Sequence, residues 1–196
     1  MFFFLPATAQ EEKDSDLLGK AIEYFQSSKY HEALLLFEKL EQRHHLNPRF
    51  RAYMGLCYFH DWQFDRSSEV LREVIPSLGL FAPHEREVYY YSCAESFFFL
   101  QKYRDAVPYY ENALSVSYDN EKGDIFYRIG MCYMFTEEWQ NAIDFLESSR
   151  SYYRRFRQTD ELKARLTQIQ QMISGCEKKL ADGSAAKETE PTVAPR

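Results

Sequence analysis

Glycine and proline are scarce in this chain, seven of each in 196 residues. The tight turns of a many-stranded sheet are therefore largely missing, which favours helices. No run approaches the roughly 18 consecutive apolar residues of a membrane-spanning helix. Positive charge is not in surplus either: 24 Lys and Arg stand against 30 Asp and Glu, a net −6. A general nucleic-acid binder needs the opposite balance. Gly-rich phosphate loops, His-Glu-x-x-His and nucleophile elbows are all missing, so no catalysis, no cofactor and no small-molecule substrate are expected. The four cysteines form no Cys-x-x-Cys pair. Cys57, Cys93 and Cys132 lie in apolar helical segments and Cys176 on an apolar stripe, as buried free thiols do. His44 and His45 are adjacent, about 100° apart on a helix, so they cannot share a metal.

What is abundant is aromatic: 15 Tyr and 16 Phe. They recur in register. Ala21, Gly55, Ala94 and Gly130 are each followed three residues later by Tyr24, Tyr58, Phe97 and Tyr133. Nine later stand Tyr30, Phe64, Tyr103 and Trp139; twelve later, Ala33, Ser67, Ala106 and Ala142; sixteen later, Phe37, Leu71, Tyr110 and Leu146. A repeated supersecondary unit explains the pattern. Two helices of a hairpin approach closely only where side chains are small, and interior Gly costs about 1 kcal/mol against Ala, so close packing must repay it. The later aromatic plugs the hairpin end, and the bulky residue fills the space toward the next unit.

The order small, aromatic, aromatic, small, bulky resembles the tetratricopeptide repeat over roughly residues 14–156. The resemblance implies an all-α, right-handed α-solenoid of four tetratricopeptide-like helix hairpins plus a C-terminal capping helix, of bacterial envelope type. Units are expected at 14–47, 48–81, 87–120 and 123–156. The small residues are spaced 34, 39 and 36 apart, which puts insertions near residues 82–86 and 121–122, between units. The chain departs from the family where Leu17, Arg51, Tyr90 and Phe126 replace a Trp, His45 a Pro, and Ser67 and Ser149 small apolar residues. Such changes weaken single repeats.

Beyond the fourth unit, Leu162, Leu166, Ile169, Ile173, Cys176 and Leu180 make one helical stripe. It reads as a cap over residues 158–180, or as a heptad seam for a weak dimer. Residues 181–196, small and polar, are expected to be disordered. At the other end, an apolar run at 2–6 precedes Ala7-Thr8-Ala9, the small-x-small pattern cleaved from export signals. Residues 1–13 therefore read as the remnant of an export signal, or as a frayed apolar terminus.

By the resemblance, the first helix of each hairpin lines a concave groove that takes a protein or peptide partner. The groove positions implied are Phe25, Tyr53, Phe59, Tyr91, Glu95, Phe98, Tyr127, Arg128, Met131 and Met134. An aromatic face is either such a groove or buried core. The family's carboxylate clamp for chaperone tails is not expected, because Leu18, Ile22, Tyr53, Val88 and Ser92 stand at its places. Residues 150–157 interleave Arg with Tyr and Phe, as single-strand binders do; the net charge favours a solvated or partner-facing patch. Three functions follow: an exported, periplasmic adaptor; a cytoplasmic chaperone for a secreted substrate; or a self-assembling structural module.

Overall fold

The structure is a computed structural model that describes residues 13–157 and 161–188; the apolar segment at 2–9 and residues 189–196 lie outside the described residues. Four antiparallel hairpins follow one another. They are α1 (Asp14–Gln26) with α2 (Tyr30–Arg43), α3 (Pro48–His60) with α4 (Phe64–Val74), α5 (Pro83–Phe99) with α6 (Tyr103–Val116), and α7 (Asp119–Phe135) with α8 (Trp139–Phe156). A short 3-10 turn, Ile75–Ser77, follows α4, and a last helix, α9 (Glu161–Glu188), closes the array. Among the described residues there are no strands, and no helix is long and apolar enough to cross a membrane.

Local chemistry starts and stops these helices. Asn47 caps α3, its side-chain oxygen accepting the Phe50 N–H at 3.1 Å with Pro48 in the first turn. Pro83 opens α5 in the same way. Glu121 reaches back to the Tyr118 N–H at 3.0 Å to hold the front of α7.

Every hairpin turn uses one device. Ser28, Trp62, Gln101 and Glu137 all have φ between 58° and 61°. The next residue's N–H then reaches back five residues: Lys29 to Tyr24, Gln63 to Tyr58, Lys102 to Phe97 and Glu138 to Tyr133, at 2.8–2.9 Å. This Schellman geometry normally takes Gly, because a side chain at positive φ costs about 1–2 kcal/mol. None of the four is Gly. Replacing the exposed Glu137 with Gly is expected to stabilise the chain by about 0.5–1 kcal/mol, part of the relief being returned as glycine's larger unfolded-state entropy. A rise in the urea midpoint checks this.

Close packing behaves as the repeat pattern predicts. Ala21, Ala94, Ala33, Ser67, Ala106 and Ala142 are fully buried where paired helices meet, and Phe37, Leu71, Tyr110 and Leu146 are buried beside them. The two Ser departures are not weak points. Ser67 Oγ pairs with Ser96 Oγ of α5 at 3.0 Å, and Ser149 Oγ donates to the Gly123 carbonyl of α7 at 2.7 Å. Each buried hydroxyl thus ties two helices together.

Three boundaries differ from the sequence expectation. The extra residues do not lie between units. They add one turn to the front of the first helix, 13 residues in α1 and α3 but 17 in α5 and α7. Units three and four therefore begin at Pro83 and Asp119, not at residues 87 and 123. The added turn has its own packing: Gly123 sits so close to Tyr153 that a Cβ there would lie 2.9 Å from its ring. The last helix also continues to Glu188, so residues 181–188, expected to be disordered, are helical.

The position of α9 is that of a fifth first helix, stacked on α8. Ile169 and Ile173 are buried against Tyr127, Leu146 and Tyr153, with Leu162 and Leu166 packed around them, and Cys176 is buried as well. That much of the stripe is engaged within the chain as a cap, not left open as a dimer seam.

Candidate partner-binding groove

The first helices and α9 share one face, and its side chains interlock from helix to helix. On α1 and α3, Phe25 stacks on Tyr53, ring centroids 4.4 Å apart and nearly parallel. Further along, the Arg128 guanidinium of α7 lies 4.8 Å from the Phe98 ring of α5, and Arg165 of α9 lies 4.4 Å from the Tyr127 ring of α7. Both are cation–π contacts. Between α5, α7 and α9 the face opens into a cavity of about 380 Å³ lined by Tyr91, Asp124, Tyr127, Arg128, Met131, Arg165 and Gln168.

Glu95 forms the floor beside it. It is 4 % exposed, accepts the Tyr110 hydroxyl of α6 at 2.5 Å and the Arg128 guanidinium at 2.8 Å. Burial raises its carboxyl above the usual carboxylate range, against the pull of Arg128 and the tyrosine hydroxyls. Burial works hardest against the charge on Arg128, but Glu95, Tyr110 and Tyr91 together outweigh it and the guanidinium stands above its ordinary value. The pair fixes the angle at which Arg128 enters the cavity.

Of the ten groove positions implied by the resemblance, the cavity gathers Tyr91, Tyr127, Arg128 and Met131, with Phe98 adjoining through Arg128. Phe25 and Tyr53 form a separate half-buried pair. Glu95 is buried and holds three helices together, so it presents nothing to a partner. Tyr127, 7 % exposed, offers an edge only, because α9 covers it. Met134 packs into the cluster under α9, and Phe59 lies elsewhere, in a small aromatic cavity of about 170 Å³ with His60, Trp62, Phe64 and Phe99.

That second cavity belongs to a ladder along the hairpin-turn edge. The rings that open the first three second helices each stack on a ring of the following unit: Tyr30 on His60 at 3.9 Å, Phe64 on Phe99 at 4.5 Å, Tyr103 on Phe135 at 4.6 Å. The aromatic thus does two jobs: it packs on a ring of its own hairpin, as the sequence predicts (Phe25–Tyr30, Phe59–Phe64, Phe98–Tyr103), and it bridges to the next unit. Each stack is worth about 0.5–1.5 kcal/mol beyond its burial.

The remaining candidates resolve structurally. The arginines of 150–157 are partly committed: Arg150 bonds Glu147 and Gln170, while Arg157 pairs with Asp124 at 2.7 Å and donates to the Asn120 carbonyl. Tyr153 is buried. All four cysteines are free and buried, and burial pushes the Cys57, Cys93 and Cys132 thiols up to about 12. They act as core, not as nucleophiles. No metal-binding cluster occurs among the described residues.

Sequence reasoning missed Arg165, Gln168 and Asp124. The first two lie on α9 beside the apolar stripe, whose spacing marks only the buried side of the helix. The stacking ladder was legible. Five residues after each small residue stand His60, Phe99 and Phe135, whereas the first unit, with no unit before it, has Gln26.

No protein-family model matches the sequence, and no curated protein matches it. Solved structures do. MamA from Desulfovibrio magneticus RS-1 aligns at 13 % identity over 89 % of this chain and 98 % of its own, TM-score 0.58. A putative kinesin light chain of Podospora anserina, with nearly identical TPR-like repeats, aligns at 14 % identity over 89 % of each chain, TM-score 0.59. The apo form of RapI aligns at 14 % identity over 88 % of this chain and 66 % of its own, TM-score 0.63. At such identities the likeness speaks for architecture. The chain therefore has the fold of a tetratricopeptide-like helical repeat protein.

Proposed function

We propose that the chain is a non-enzymatic adaptor that holds a segment of another protein along the face formed by α1, α3, α5, α7 and α9. The observation that carries this is the cavity of about 380 Å³ on that face, walled by Tyr91, Tyr127 and preset arginines. Binding segments need such a surface: rings that lose little entropy on contact and arginines already oriented. The Ala7-Thr8-Ala9 pattern supports an exported, periplasmic setting for this role. Use of the α9 stripe for self-assembly is the weaker reading, because Ile169, Ile173 and Cys176 are buried.

Site-specific photocrosslinking tests the proposal. A photoreactive residue at Phe25, Tyr53 or Met131 is expected to capture one partner in native extract. The same residue at Leu35 or Asn112, exposed on second helices, is expected not to. Equal capture from both sets would sink the groove reading.

A further inference from the structure

We infer that the cavity between α5, α7 and α9 is a seat for one acidic side chain, an Asp or Glu carboxylate, of the bound segment; this rests on the groove reading above. The argument is one of charge. Four charged groups bear on the cavity wall: Arg128, Arg165, Asp124 and, beneath, Glu95. Arg128 is balanced by Glu95 at 2.8 Å. Asp124 is balanced by Arg157 at 2.7 Å and also accepts the Tyr153 hydroxyl. Arg165 rests on the Tyr127 ring, and no carboxylate among the described residues pairs with it. One positive charge is left over, facing a recess partly shielded from solvent.

Geometry adds to the charge. Arg128 is hydrogen-bonded to Glu95 and Tyr91 and lies 4.8 Å from the Phe98 ring, so its orientation is set before a ligand arrives. Tyr91 and Gln168 contribute neutral hydrogen-bonding groups to the same wall, while Tyr127 and Met131 offer apolar surface for the methylenes of an acidic side chain. At the opposite end of the face, the Phe25–Tyr53 stack offers apolar surface. The segment that fits is acidic at the α9 end and apolar toward α1. Because α9 supplies Arg165 and Gln168, the cap is also one wall of the site.

The test uses the full chain to select binders from a random heptapeptide library displayed with both ends blocked. Selected peptides are expected to share one acidic residue at a fixed position. Changing that residue to its amide, or making Arg165→Gln in the protein, is expected to weaken binding about tenfold or more by fluorescence anisotropy. Arg165→Lys keeps part of the affinity, and Arg154→Gln, an exposed arginine outside the cavity, changes nothing. An unfolding midpoint of Arg165→Gln close to wild type ties the loss to the site. Binders without an acidic preference, or binders indifferent to Arg165→Gln, overturn the carboxylate seat and leave the groove standing. Binding that requires a free peptide C-terminus overturns it as well. A selection that yields no binder overturns the groove reading itself.

Discussion

Gly130→Ala is expected to destabilise the chain by up to about 2 kcal/mol, although alanine is the better helix former. The propensity gain is about 1 kcal/mol. Against it stands overlap: a Cβ at Gly130 would lie 2.8 Å from Leu146 Cγ and 3.3 Å from the Leu146 backbone nitrogen. Leu146 is fully buried, so it cannot swing aside, and overpacking of this kind costs about 1–3 kcal/mol. Small and bulky residues are matched in type across the units. Gly55 and Gly130 go with Leu71 and Leu146, whereas Ala21 and Ala94 go with Phe37 and Tyr110. A flat ring lies against a methyl group; a branched Leu tip needs bare backbone. Combining Gly130→Ala with Leu146→Phe recreates the pairing of the first unit. It should recover about half of the loss, a coupling of about 1 kcal/mol in a double-mutant cycle by urea unfolding. A more stable single variant would refute the account.

Glu95→Ala should cost more, about 3–5 kcal/mol, because it leaves Arg128 partly buried without its counter-charge and strips the Tyr110 hydroxyl of its acceptor. Glu95→Gln keeps an acceptor for Tyr110 and should cost less. The pH dependence separates the two roles of this residue. Burial holds the folded-state carboxyl above its ordinary 4.5. The stability it contributes is therefore fully present below pH 4.5 and is lost as the pH rises through the higher folded value. Glu95→Gln should flatten the stability curve over that range, measured as unfolding midpoints from pH 4 to 8. An unchanged curve would mean that Arg128 fully offsets the burial.

The fold was legible because its determinants are spacings. Ala21, Gly55, Ala94 and Gly130 mark the close approach of paired helices, and a close approach cannot be made with other residue sizes. The turn geometry was hidden, since the positive φ at Ser28, Trp62, Gln101 and Glu137 is imposed by the flanking helices and not announced by Gly. Spacing alone also cannot distinguish residues inserted between helices from residues added to one, so the extra turn of α5 and α7 went unseen. At the groove, residue type marked the face that the first helices share but not the depth of each side chain. Glu95 and Arg128 are both polar, yet one is sealed beneath the face and the other reaches into it, a difference set by Tyr110 from a neighbouring helix. Arg165 escaped notice because its role depends on α9 taking the place of a fifth first helix.

The longer helices from Pro83 onward make the array one of two gauges. Four added residues raise the helix by about 6 Å, and α7 keeps the length that α5 introduces. Units from the same half match in the length of their first helix, but units from different halves do not. A short unit moved behind the third would leave a full turn of α5 unmatched, and a long unit placed first would carry an overhang. In helix length, a duplicated hairpin therefore fits within its own half and is mismatched across the junction between the second unit and the third.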